Sequence, residues 1–149
     1  MEAVWDALLG EGKRIYGIAV DDAHHFQGEF ARERSNPGRG WIAIAARRLD
    51  AGELMRNLDR GLFYASSAVT LDSITVSGMA ISLRIRREAD FKYTTTFIGD
   101  GGRVLARVGG LSPRFTLESA RARGLTYVRA RVDDSGGGKA WVQPVFVIR

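Results

Sequence analysis

Apolar positions change their spacing part-way along this 149-residue chain. In residues 2–9, Val4 pairs with Leu8 and Trp5 with Leu9 at helical spacing, and Gly10 and Gly12 follow, which predicts a short helix. "RIYGIAV" then runs with scarcely a polar side chain, the pattern of a strand covered on both faces and typical of a parallel sheet. The stretch "QGEFARERSNPGRG" is a loop by composition, turning at Asn36, Pro37 and Gly38, and "WIAIAA" reads as another buried strand. A second helix is marked by Asp50 as N-cap with Glu53 behind it, by the stripe Leu54, Leu58 and Leu62, and by Gly61 at the stop. Up to residue 62 the order helix, strand, loop, strand, helix is that of the tail end of an α/β unit.

From Phe63 onward the period falls to two. Ile81, Leu83 and Ile85 alternate with Ser82, Arg84 and Arg86, and Phe91, Tyr93, Thr95 and Phe97 alternate in the same way. "GDGG" at residues 99–102 is a hairpin turn between two such runs. Further on, Val128, Ala130 and Val132 face one side while Tyr127, Arg129 and Arg131 face the other. "DDSGGGK" turns the chain into a last strand, "AWVQPVFVI", in which Pro144 demands an edge position or a bulge. About seven short strands of this kind predict a small antiparallel sandwich. The fold class is therefore α+β, with the two parts packed together and a boundary near residue 64.

Composition adds exclusions. Without cysteine there are no disulfides and no thiolate metal ligands. No apolar run approaches the ~20 residues of a membrane span. The opening "MEAVWDALLGEGKR" lacks the basic start of a signal peptide, so a cytoplasmic setting without a membrane is the expectation. The net charge of +5 comes from 22 lysines and arginines against 17 acids. Such an excess can attract phosphates or nucleic acid, but the arginines are interspersed with acids, as in "RIRREAD" and "RARVDDS". A solvated mixed-charge surface accounts for that pattern.

The candidate chemistry lies in "IYGIAVDDAHHF", residues 15–26, which holds both histidines of the chain. Asp22 and His24 form a D-x-H pair at the carboxyl end of the expected parallel strand, where residues i and i+2 share a side. α/β folds place their sites at such edges, and an oxygen–nitrogen donor pair suits zinc, manganese or iron. The competing reading is an ordinary polar turn, because a D-x-H spacing alone has many chance matches. Ser66 and Ser67 have no evident base nearby. Trp5, Trp41 and Trp141 lie in apolar runs where core packing is the default.

The succession "WDALLGEGKRIYGIAVDDAHHF … GWIAIAA … ELMRNLDRGLFYASSAVTLDSITVSG" resembles the C-terminal portion of PHP-domain proteins, the family named for polymerase and histidinol phosphatase. The likeness continues through "GLFYASSAV" into a β-rich tail ending "YVRARVDDSGGGKAWVQPVFV". It implies a metal-dependent phosphoesterase built on a distorted β/α barrel, whose last metal motif is matched by Asp22 and His24. On that basis residues 1–64 are the terminal α/β segment of a PHP-type barrel and residues 65–149 an antiparallel β-sandwich. Asp21 becomes a supporting neighbour of the ligands, His25 points elsewhere, and Arg39 is a candidate contact for a substrate phosphate.

One departure matters. The family's other ligands come from an N-terminal His-x-His and further acidic and histidine positions, and no histidine occurs here outside positions 24 and 25. The implied partner is therefore the rest of a PHP barrel, from the same parent chain or another subunit, and the expectation is an isolated chain that is inactive. The implied substrate is a phosphorylated small molecule or nucleotide, and homo-oligomers are a further possibility. The alternative is a non-catalytic β-sandwich that binds a partner, a carbohydrate or nucleic acid.

Overall fold

Every strand pairing among the described residues is antiparallel. Those residues are 1–147 except 29 and 32, in a computed structural model of the chain. The strands are β1 (Trp41–Ile44), β2 (Phe63–Ser66), β3 (Leu71–Val76), β4 (Ala80–Ile85), β5 (Tyr93–Gly99), β6 (Arg103–Gly109), β7 (Arg114–Thr116), β8 (Tyr127–Asp134) and β9 (Lys139–Phe146). A six-stranded sheet runs in the order β1-β2-β9-β8-β5-β6, and a three-stranded sheet in the order β3-β4-β7. Helices α1 (Glu2–Gly10), α2 (Ala51–Asp59) and α3 (Glu118–Ala122) and one 3-10 turn complete the described elements.

The expected antiparallel sandwich is present. Alternation puts Ile81, Leu83 and Ile85 of β4 in one core cluster with Phe97, Val128, Ala130, Val132, Ala140 and Val142 of the larger sheet. Phe97 stacks on Phe115 with ring centroids 5.1 Å apart, joining the layers through β7. The turn signals also hold: the 3-10 turn Asp100–Gly102 links β5 to β6, with Gly101 at φ 68° and Gly102 at φ 77°. Pro144 sits inside β9, where the pairing with β8 slips between Val128 and Ala130, so its missing donor falls in a bulge. The expected last strand includes Ile148, and the expected loop includes Glu29 and Arg32; these lie outside the described residues.

The opposite face of the six-stranded sheet is covered by α1. Arg129 of β8, with 1% of its side chain exposed, meets Asp6 of α1 through Nε at 2.7 Å and Nη2 at 2.7 Å. Tyr127 donates its hydroxyl to the same carboxylate at 2.8 Å. Glu2, one helical turn earlier, accepts from Arg129, Arg131 and the Trp141 indole. The arginines of "RARVDDS" thus belong to an ion-pair network in which Arg129 and Asp6 are buried and Arg131, Glu2 and Asp133 are half-buried, contrary to the expectation of solvated surface charge. Two of the tryptophans are also placed otherwise than in an apolar core, since the Trp5 ring covers the Arg129 guanidinium at 4.8 Å and Trp141 serves Glu2.

The α/β expectation for the first segment fails in its strands. "RIYGIAV" forms no ladder; it is an extended run with Ile18 64% and Val20 71% exposed. A strand needs a neighbouring backbone, and here a side chain substitutes for one: Gln143 accepts from the Gly17 N–H at 2.9 Å and donates to the Gly17 carbonyl at 2.7 Å. "WIAIAA" yields β1, which pairs antiparallel with β2 and forms an edge rather than a buried parallel strand. The helix expected after it is present, with the Asp50 carboxylate accepting from Glu53 N at 2.8 Å and Gly61 at φ 70° after its end. Its stripe is only half covered, and Leu62 is 43% exposed. Both helices of the α/β reading are present, but neither of its parallel strands is; β1 and β2 belong instead to the antiparallel sandwich sheet.

Candidate functional site

Residues 21–39 form a loop between the extended run and β1, and its polar side chains divide into two groups. The first group ties the loop together. Asp21 accepts from Gly38 N at 2.6 Å through its carboxylate, and its carbonyl accepts from Arg39 Nη2 at 2.9 Å. Ser35 N donates to His25 Nδ1 at 3.2 Å, and the Ser35 carbonyl accepts from the backbone N–H groups of His24 and His25 at 2.8 and 3.1 Å. Buried Asn36 donates to the His25 carbonyl at 3.1 Å and accepts from Ala31 N at 3.0 Å. These bonds close the Asn-Pro-Gly turn onto the strand end and satisfy backbone groups that would otherwise need water.

Asp22 and His24 make up the second group. Both are exposed, and the Asp22 carboxylate makes no hydrogen bond among the described residues. His24 Nδ1 lies 2.6 Å from the Asp22 carbonyl oxygen. A carbonyl can only accept, so Nδ1 carries a proton, and in the neutral ring Nε2 is the nitrogen that keeps its lone pair. The backbone at Asp22 has φ 50°, in the left-handed region that is unusual for a side chain other than Gly, Asn or Asp. That turn removes the premise that positions 22 and 24 share one side of a strand. Their proximity comes instead from the ring folding back on the peptide two residues earlier.

The candidates from sequence therefore separate as follows. Asp21 and Arg39 meet each other, with the arginine bound to a backbone carbonyl. Asp22 and His24 stand beside them with donor atoms to spare, while His25 is engaged as an acceptor within the loop. Among the described residues, no group of three or more histidine, aspartate or glutamate side chains is gathered to hold a metal ion. Ser66 is fully buried and donates to the Val69 carbonyl at 2.7 Å, which identifies it as a structural hydroxyl.

Two openings lie away from this loop. One, of about 810 Å³, is flanked by Arg47, Arg48 and Arg56 between α2 and the residues after β1, at the far end of β1 from Val20 and Gly40. The other, of about 410 Å³, lies between α1 and the six-stranded sheet. Asp22 and His24 line neither. Sequence reasoning had assigned no role to the residues of this second cleft. Their signal was nonetheless present, as acids at positions 2 and 6 of a helix and arginines at positions 129 and 131 of a strand.

The sheet-side network has consistent electrostatics. Partial burial pushes the Glu2 carboxyl up, but the Trp141 hydrogen bond and the Arg129 and Arg131 charges outweigh it and leave its pKa below the ordinary value. Asp133 is likewise lowered, with Lys139 and Arg131 overcoming its partial burial. Tyr127 is pushed up by burial and by the neighbouring Asp6 carboxylate, so it remains a hydrogen-bond donor.

No family model, curated protein or solved structure matches this chain. No helix among the described residues is long and apolar enough to cross a membrane.

Proposed function

We propose that this chain is the C-terminal part of a PHP-type metal-dependent phosphoesterase, contributing Asp22 and His24 to its metal centre and a β-sandwich to its scaffold. The observation that carries the reading is the division of labour in the 21–39 loop. Asp21, His25 and Asn36 satisfy the turn, whereas the Asp22 carboxylate and His24 Nε2 are left with free lone pairs. A histidine that donates Nδ1–H to a backbone carbonyl is held in the tautomer that ligates through Nε2. The donor chemistry fits zinc, manganese or iron.

Two donors do not fill a metal's coordination sphere, so the remaining ligands belong to the rest of the barrel, in the parent chain or another subunit. A metal held there would supply an activated water for attack on a phosphoester and would screen charge on the phosphoryl oxygens. This chain's part is to hold one corner of the centre. Asp21 fixes the backbone next to Asp22, and Arg39, held by the Asp21 carbonyl, is the contact for a substrate phosphate in this reading. Substrates of this reading are phosphorylated small molecules or nucleotides.

Paramagnetic Mn2+ added to the chain tests the assignment by NMR. Selective broadening of the His24 ring over that of His25, lost in Asp22→Ala, is the expected result. Equal broadening of both rings, or none, sinks the assignment. In a phosphomonoester panel the isolated chain is expected to be inactive; metal-dependent hydrolysis abolished by Asp22→Ala would overturn the need for a partner.

A further inference from the structure

The cleft between α1 and the six-stranded sheet has a composition that its structural role leaves unexplained. The register makes its floor explicit. Thr96 of β5 lies opposite Arg107 of β6 on one side and Arg131 of β8 on the other, and Ile98 lies likewise between Val104 and Arg129. Residues directly opposite in antiparallel strands project from the same face, so these are two parallel rows. Arg107 and Arg131 flank Thr96 at a backbone separation of about 9–10 Å, two strand spacings.

The roof is α1, whose Ala3 and Ala7 face the opening with methyl groups only. Gly101 and Gly102 also line the space, and a Cβ at Gly102 would lie 3.0 Å from an Asp6 carboxylate oxygen. The space of about 410 Å³ falls within the ~300–1,000 Å³ range of small-molecule sites.

Charge then selects the ligand. Three guanidinium groups and two carboxylates line the cleft, which leaves one positive charge over. Arg129 is held by Asp6 and Glu2, and Arg131 by Glu2 and Asp133. Arg107 has no ion pair, and the Thr96 hydroxyl makes no hydrogen bond among the described residues. The surplus is therefore at Arg107, on the edge strand at the mouth, next to Val104, which is 45% exposed.

We infer that this cleft binds a small organic monocarboxylate. The carboxylate meets Arg107 and the Thr96 hydroxyl, and the apolar body lies over Val104 and Ile98 beneath Ala3 and Ala7. A planar guanidinium matches the two carboxylate oxygens. A dianionic phosphate carries one negative charge more than the cleft's surplus of one positive charge, whereas a carboxylate matches it. This inference is independent of the metal reading above and involves none of its residues.

Benzoate titrated into the 15N-labelled full chain tests it, with benzamide and inorganic phosphate in parallel. The expected result is saturable shifts of the Ala3, Ala7, Ile98, Gly102 and Val104 amides, with a dissociation constant near or below about 1 mM. Benzamide and phosphate should each bind at least about tenfold more weakly, and Arg107→Ala should cost benzoate a similar factor. Because Arg107 is exposed on an edge strand, its variant should melt as the parent does. Ala7→Phe, which fills the space from the helix side, should abolish the shifts. The inference is overturned by shifts that do not saturate, by phosphate binding as well as benzoate, or by undiminished binding in either variant.

Discussion

Asp6→Ala removes the principal counter-charge of Arg129, a side chain with 1% of its surface exposed. A buried cation left without its partner costs about 3–5 kcal/mol. The same substitution takes the acceptor at 2.8 Å from the Tyr127 hydroxyl, which is fully buried. An unmade bond of that kind costs about 1–3 kcal/mol on its own. The two losses share one relaxation and do not add. Glu2 keeps its 3.0 Å contact with Arg129, which moderates the effect.

A net destabilisation of about 3–4 kcal/mol follows, and at about 2–4 °C per kcal/mol for a chain of this size it lowers Tm by about 6–16 °C. Thermal and urea unfolding followed by circular dichroism measures it. The double variant Asp6→Ala with Arg129→Met removes both charges, and should recover at least about 1 kcal/mol relative to Asp6→Ala alone. A single variant melting within about 2 °C of the parent would refute the reasoning, as would a double variant more destabilised than the single. The first outcome would mean that α1 is not anchored through this pair.

Three further outcomes are expected. Glu2 and Asp133 lie below their ordinary values of 4.5 and 3.8 in the folded chain, so folding releases protons there. Their contribution is complete above those values and is lost as pH falls through the folded ones; Tm should drop below about pH 4, less steeply in Glu2→Gln. Gln143→Ala unties both backbone groups of Gly17 and should cost about 1–2 kcal/mol, with faster amide exchange at Gly17 as the specific readout. Gly61→Ala places a methyl group against the Tyr16 ring at a position with φ 70°, and should lower stability by at least about 1 kcal/mol in urea unfolding, with Gly12→Ala, also at positive φ but in open space, as the milder control.

The sandwich was legible because its determinants are local. Period-two alternation decides which side chains of β4, β5 and β8 meet, and the glycines of the 99–102 turn supply the positive φ values that a tight reversal needs. The helix after Asp50 was legible for the same reason, since its cap bond spans only three residues. "RIYGIAV" was misread because composition reports burial preference and not the availability of a partner. Its hydrophobicity is real, but Gln143 and Trp5 engage its backbone where a strand was expected. Pairing is a long-range property, and an apolar run does not carry it.

The ion-pair network was hidden differently, in spacings that were each visible but were not compared. Glu2 and Asp6 are one helical turn apart, about 6 Å along the axis. Arg129 and Arg131 are two strand residues apart, about 6.8 Å. Those rises match, so one acidic helix face can lie along one basic strand face and pair at both positions. Charge interspersed along a sequence says little about solvation; the periods of the elements carrying it say more.

The same distinction applies to the candidate metal donors. "DDAHHF" looked like four polar residues at a strand end, to be explained either as a turn or as a site. The bonds divide them. Asp21 holds Gly38 and Arg39, and His25, with Asn36, holds the other side of the loop. A polar turn requires nothing more, because its backbone groups are then satisfied. Asp22 and His24 serve the loop through their backbone and one ring nitrogen, Asp22 turning at φ 50° and His24 bonding the Ser35 and Asp22 carbonyls, which leaves the Asp22 carboxylate unbonded. Local bonding thus accounts for the side chains of residues 21 and 25, while the Asp22 carboxylate and the far nitrogen of the His24 ring make no bond among the described residues.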